Sequence, residues 1–188
     1  MKMYKIYTIP NVITCIRVAL VFPILICLFR EKIMLATILF ITAAVTDFID
    51  GWIARKFNQK SEVGSLIDPF ADKLLLNSLF ITLGAKGWIP NILWIAVMLR
   101  DIIVGMDSLY VFCVSHLFEA KPSFYGKTFT LFQIFTIGLV LFEKLNIPLY
   151  NKHLLIFCMY MTVILAFASL IDYLLKGMKI VKNNRVKM

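Results

Sequence analysis

The chain has 188 residues, 61% of them hydrophobic, and a formal net charge of +9 at pH 7. The length fits one domain, but the apolar content is too high for a water-soluble one. The basic residues are few and accompany no nucleic-acid-binding pattern, so the charge is read as membrane-surface chemistry: basic segments resting on anionic headgroups.

Apolar stretches long enough to cross a bilayer recur along the chain. They predict six spans, over about residues 9–29, 33–50, 66–85, 88–114, 128–143 and 153–175. The first is preceded by Lys2 and Lys5 and contains Arg17, which gives it the look of a signal peptide. No small-x-small cleavage site follows, so it reads as a retained span. The second ends in Asp47 and Asp50, and the third carries Asp68, Pro69, Asp72 and Lys73. Pro69 is expected to bend its helix and free a carbonyl. Lys73 is read as snorkelling or balancing charge. The fourth span contains Arg100-Asp101, and the fifth follows Lys121 and Lys127. His116 and His153 stand alone in loops, where a surface role is favoured over metal ligation. The cysteines, Cys15, Cys27, Cys113 and Cys158, fall inside predicted spans without zinc-ligand spacing and read as small buried hydrophobes. No linker, internal repeat or low-complexity tract divides the chain, so residues 1–188 are expected to form a single domain.

Loop charge sets the orientation. With the N-terminus inside, the cytoplasmic segments carry twelve Lys or Arg residues, among them Arg55, Lys56, Lys60, Lys121 and Lys127, against five on the other side. That bias predicts both termini in the cytoplasm. The expected fold is therefore an all-α membrane protein with six transmembrane helices around a cytoplasm-facing polar cavity.

The acidic residues of the second and third spans are the strongest chemical signal. An ionisable side chain at bilayer depth is unfavourable and is usually kept for function. Asp47, Asp50, Gly51 and Ala54 are spaced i, i+3, i+4, i+7 and share one helical face; Gly64, Asp68 and Asp72 are spaced by four and share another. Two neighbouring helices can thus aim two carboxylates each at one point. Four carboxylates cannot all stay ionised together without compensation, and an oxygen-only donor set suits a hard divalent cation, magnesium rather than zinc. Gly51, Ala54 and Gly64 keep the faces free of bulk, and Arg55 can hold a phosphate with two parallel hydrogen bonds. The plain alternative, structural ion pairs with Arg55 and Lys73, leaves two acids uncompensated. A small cation transporter or channel would also place acids at the bundle centre, but it would not need the small residues and Arg55 at these spacings.

The run from Asp47 to Asp72 matches, without a gap, the pattern D-x2-D-G-x2-A-R-x8-G-x3-D-x3-D at eight spaced positions. In this it resembles the CDP-alcohol phosphatidyltransferase family. The opening Ile9-Pro10-Asn11 with Thr14 and Arg17 looks like that family's first helix. Arg100-Asp101, and Lys121-Pro122-Ser123 through Gly126-Lys127, look like segments of its glycerol-type members. The resemblance implies a six-helix membrane enzyme, usually a homodimer, that displaces CMP from a CDP-linked lipid by attack of an alcohol on the lipid-side phosphorus. Carried over by position, Asp47, Asp50, Asp68 and Asp72 would hold one or two divalent ions, Mg2+ or Mn2+. Asp72 would also act as general base on the acceptor hydroxyl. Asp47, Gly51, Ala54, Arg55 and Gly64 would line the CDP pocket.

For the acceptor, Arg100, Lys121 and Lys127 are the candidate phosphate ligands, which suits transfer from CDP-diacylglycerol to glycerol 3-phosphate. Phosphatidylglycerophosphate synthases commonly carry Arg-Glu where this chain has Arg100-Asp101, and a lysine where it has Phe129. Arg-Asp and Lys-Pro-Ser look more like the cardiolipin synthases of the same family, which use phosphatidylglycerol. The alternative reading of Arg100 with Asp101 is a structural ion pair. A bacterial inner membrane is the expected location.

Overall fold

Six α-helices make up the regular structure among the described residues: α1 (Ile9–Phe29), α2 (Ile33–Phe57), α3 (Glu62–Ala85), α4 (Asn91–Ser115), α5 (Phe124–Lys144) and α6 (Lys152–Arg185). The computed structural model describes the backbone of residues 9–57, 62–115, 123–147 and 151–185. It describes side-chain surroundings for 18–46, 73–107, 109, 123–147 and 151–178.

Each predicted span corresponds to a helix; several overrun it at polar ends, while α4 begins at Asn91 rather than near residue 88. α2 continues to Phe57 rather than stopping near residue 50, α3 begins at Glu62, and α6 runs on to Arg185. Hydropathy marks where a lipid-compatible surface ends; the i→i−4 ladder has no reason to stop there. α3 stays helical through Pro69, as α1 does through Pro23.

Two helix ends are closed by left-handed residues. Glu31 has φ 59° and Asn146 has φ 52°. After α1, the Lys32 N–H donates to Cys27 O (2.9 Å) and the Glu31 N–H to Leu28 O (3.2 Å). After α5, Ile147 and Asn146 donate in the same way to Phe142 and Glu143. These are Schellman closures, which satisfy carbonyls that the helix end would otherwise leave unpaired. α6 is opened by Asn151, whose Oδ1 accepts from the His153 N–H at 2.9 Å.

The solvent preference of the fold shows in what lies inside and outside. Thr37, Thr82, Arg100, Gln133, Thr136, Thr162 and Ser169 are buried, while Phe22, Ile92, Met106, Phe135, Tyr160 and Phe167 are among many large apolar side chains left exposed. So much exposed apolar surface is untenable in water and natural in hydrocarbon. Among the described residues, two helices, Phe124–Lys144 and Lys152–Met178, are long and apolar enough to cross a bilayer; shorter apolar helical stretches are Val18–Phe29, Ile33–Thr46 and Lys73–Ala85.

The chain divides into two compact units. In the first, residues 1–86 and 137–150, α1 packs against both α2 and α3. Ile24, Leu28, Ala36, Leu79, Phe80 and Leu83 are fully buried there. The Lys86 ammonium lies 6.0 Å from the Phe29 ring centroid, so the C-terminal ends of α1 and α3 sit together.

In the second, residues 87–136 and 151–188, α4 packs on α6. The contacts fix the directions. Arg100 meets Ser169 and Asp107 meets Gly177, so α4 and α6 run parallel. Ser123 meets Asp172 and Thr136 meets Thr162, so α5 runs antiparallel to α6. The Thr162 hydroxyl donates to Cys158 O at 2.8 Å, which leaves Thr136 to donate across the helix pair at 3.0 Å. Thr162→Val removes that acceptor; a destabilisation of about 0.6 kcal/mol is expected, measured by unfolding in denaturing detergent. Gln133 is fully buried with neither amide atom bonded. Gln133→Leu, of similar volume, is therefore expected to raise stability by about 1 kcal/mol in the same assay.

Candidate active site

The acidic face is built by helix register. α2 carries Asp47, Asp50, Gly51, Ala54 and Arg55 on uninterrupted helical backbone, and α3 carries Gly64, Asp68 and Asp72 likewise. The i, i+3, i+4, i+7 and i, i+4, i+8 spacings therefore do translate into one face on each helix. Both helices pack on α1 in the same unit. The side chains of these eight residues lie outside the described ones, as does all of Lys121. Among the described residues no three His, Cys, Asp or Glu groups are placed to hold a metal ion. In sequence, the run from Asp47 to Asp72 offers four carboxylates and no Cys or His, oxygen donors of the type that magnesium or manganese takes.

The second unit holds a polar network that the structure defines atom by atom. Its centre is Arg100 on α4, only 5% exposed. Nη1 donates to Asp101 Oδ1 at 2.6 Å, and Nη2 donates to Ser169 Oγ on α6 at 2.5 Å. The guanidinium lies 4.6 Å from the Phe129 ring centroid of α5 and 5.5 Å from that of Tyr173 on α6. A planar, weakly hydrated cation suits such faces. Nε has no hydrogen-bond partner. One turn further along α6, Asp172 accepts from the Ser123 hydroxyl, at the start of α5, and from Lys176 Nζ at 2.7 Å. α4, α5 and α6 are thereby joined by charge-assisted bonds, which are stronger than neutral ones.

Two glycines shape this unit. A Cβ on Gly126 would lie 3.3 Å from both Arg100 Nη2 and the Tyr173 ring. A Cβ on Gly177 would lie 2.7 Å from both Asp107 carboxylate oxygens. The Asp107 carboxylate of α4 rests against the bare backbone of α6 at this glycine. Gly177→Val is expected to destabilise by about 1–3 kcal/mol, read as a lower melting temperature in detergent.

Of the acceptor candidates, Arg100 is at the core of the network, paired with Asp101 as one of the sequence readings had it. Lys127 is exposed on the first turn of α5 and makes none of the network's bonds. The reading from sequence did not single out Ser169, Asp172, Tyr173, Lys176 or Gly177. A signal was present: in the last span, Ser169, Asp172, Tyr173 and Lys176 stand at i, i+3, i+4, i+7, a polar face on an otherwise apolar helix.

Among the described residues, six helices with an exposed apolar surface, acidic residues on two of them and a buried arginine on a third fit a membrane protein. The family model described as CDP-alcohol phosphatidyltransferase matches residues 7–172. A protein of Aquifex aeolicus (strain VF5) named CDP-diacylglycerol--glycerol-3-phosphate 3-phosphatidyltransferase is 30% identical over 178 residues, spanning 92% of this chain and 97% of that one. A protein of the same name from Rickettsia bellii (strain RML369-C) is 33% identical over 136 residues, 70% of this chain and 74% of that one. A fusion protein of Schizosaccharomyces pombe (strain 972 / ATCC 24843), named cardiolipin synthase (CMP-forming) / mitochondrial hydrolase, is 34% identical over 152 residues, 80% of this chain and 24% of that one. The chain belongs to the CDP-alcohol phosphatidyltransferase family.

Proposed function

We propose that this protein transfers the phosphatidyl group of CDP-diacylglycerol to glycerol 3-phosphate, releasing CMP and forming phosphatidylglycerol phosphate. The observation that carries the reading is the match to a glycerol-3-phosphate phosphatidyltransferase over nearly the whole of both chains. The ungapped motif from Asp47 to Asp72 supports it.

In this reading residues 1–188 act as one catalytic domain. Asp47, Gly51, Ala54, Arg55 and Gly64 receive the CDP moiety. The small residues admit the nucleotide to the helix backbone, and Arg55 pairs with phosphate oxygens. Asp47, Asp50, Asp68 and Asp72 hold Mg2+ or Mn2+, which when bound offsets the charge of the diphosphate and of the leaving CMP. The Asp72 carboxylate takes the proton from the acceptor hydroxyl as its oxygen attacks the lipid-side phosphorus. The bond from that phosphorus to the bridging oxygen breaks, and CMP departs with the electron pair. Little covalent help is required beyond alignment and charge. Arg100, Lys121 and Lys127 are assigned to the acceptor's phosphate.

Six membrane spans, both termini in the cytoplasm, a polar cavity open to that side, a homodimer and a bacterial inner membrane complete the proposal. The parallel course of α4 and α6, with α5 antiparallel, supports the alternation of spans. Cysteines introduced at residues 2 and 187 should react with a membrane-impermeant thiol reagent only after the cytoplasmic face is opened.

Purified protein in detergent, given magnesium and CDP-diacylglycerol, should release CMP on addition of glycerol 3-phosphate. Preference for phosphatidylglycerol in the same assay would favour the cardiolipin synthase reading, which Arg100-Asp101, Lys121-Pro122-Ser123 and the Schizosaccharomyces pombe relative support. No CMP release with any alcohol would return the aspartates to cation transport.

A further inference from the structure

Arg100 is buried and held on several sides, with one donor left unpaired. Asp101 takes Nη1, Ser169 takes one N–H of Nη2, and the Phe129 and Tyr173 rings flank the guanidinium. Nε is buried and unbonded. A donor stripped of water and left unmet inside a membrane protein is unfavourable, so its persistence calls for an occupant in the working state. Nη2 carries one N–H on the same edge as Nε. Together they form the two-pronged donor that matches two oxygens of a phosphate.

We propose that Ser169 and Tyr173 are positioning residues: they hold the Arg100 guanidinium so that its Nε edge receives an oxyanion of the acceptor. This rests on the acceptor role given to Arg100 above. Ser169 fixes the in-plane rotation of the guanidinium by bonding Nη2. Tyr173, with Phe129, fixes the tilt of its plane. Asp101 stands at Nη1 and repels an anion from that side, leaving the Nε edge as the approach. Gly126, lacking a Cβ, lets Nη2 and the Tyr173 ring pack against the α5 backbone without being pushed aside. The shared chemistry is a phosphate mono- or diester, which glycerol 3-phosphate and phosphatidylglycerol both present.

The test uses the full chain in detergent with magnesium, CDP-diacylglycerol and each acceptor in turn. Ser169→Ala and Tyr173→Leu are expected to raise KM for the accepted alcohol about tenfold, the scale of one charged hydrogen bond. The kcat and the KM for CDP-diacylglycerol should stay within about twofold, which also reports that the variants fold. Tyr173→Phe keeps the ring and should behave as the parent. Arg100→Gln tests the underlying reading separately and should raise the same KM about a hundredfold. If Arg100→Gln leaves acceptor KM unchanged, the acceptor role of Arg100 is wrong. If Arg100→Gln raises it while Ser169→Ala and Tyr173→Leu do not, that role stands and the positioning proposal falls. Equal loss in kcat and both KM values, with a lowered melting temperature, would make Ser169 and Tyr173 merely structural and overturn the proposal. The acceptor whose KM moves, glycerol 3-phosphate or phosphatidylglycerol, identifies the source of the phosphate.

Discussion

Asp72→Asn is expected to lower CMP release by about 10²–10⁴-fold, the range for loss of a positioned general base. An alcohol at neutral pH is almost entirely protonated, and the attacking oxygen gains nucleophilicity only as its proton leaves. Asn keeps the size of Asp and its ability to ligate through oxygen but accepts no proton. Asp72 lies on α3, one turn beyond Asp68 on the same face, so its carboxylate is placed by the helix that also carries a proposed metal ligand. Binding of CDP-diacylglycerol should survive the change, since the residues assigned to the nucleotide are Asp47, Gly51, Ala54, Arg55 and Gly64. The measurement is turnover alongside nucleotide binding for the same preparation. Full turnover in Asp72→Asn would remove Asp72 from the base role; loss of binding together with turnover would make it a ligand only.

Removal of divalent cations by EDTA is expected to have the second large effect: turnover falls by about 10³-fold or more and returns with magnesium. The reason lies in charge balance. Four carboxylates on two helix faces, with Arg55 as the cation assigned beside them, repel a diphosphate unless further positive charge is present. Binding should therefore fail along with catalysis, and the affinity of CDP-diacylglycerol measured with and without magnesium provides a readout independent of turnover. Asp68→Asn should shift the magnesium concentration for half-maximal binding upward. Binding of CDP-diacylglycerol that is indifferent to EDTA would remove the metal from the reading of these four residues.

The helices and the acidic faces were legible in the sequence for physical reasons. Apolar runs of bilayer length separate the charged segments, and α1 spans the same residues as its predicted stretch. Asp47, Asp50, Asp68 and Asp72 stand out because acids are rare in such runs and because helical spacing aligns them. Helix ends were less legible. α2 and α3 extend through polar residues that hydropathy cannot assign, and the closures at Glu31 and Asn146 depend on left-handed backbone at residues other than glycine. The Arg100 network was half legible. Arg100 and Asp101 are neighbours in sequence, but Ser169 lies 69 residues from Arg100 and Asp172 lies 49 from Ser123. Nothing local announces such pairings, because they depend on how α4, α5 and α6 pack. The same rule that picked out the four aspartates applies to Asp107 and Asp172; applied evenly, it would have pointed to the α4–α6 contact as well.

The oily exterior, with polar groups bonded among the buried residues, decides how this molecule comes apart. A soluble protein is held chiefly by removing hydrocarbon from water, and urea weakens that drive. Here the outward Phe, Ile and Met side chains lose nothing when helices separate within lipid, so association relies on close packing at Gly177 and on bonds such as Thr136 to Thr162 and Ser123 to Asp172. Micelles of sodium dodecyl sulfate, which intrude between helices, should therefore dismantle it at concentrations where chaotropes in a mild detergent leave it whole.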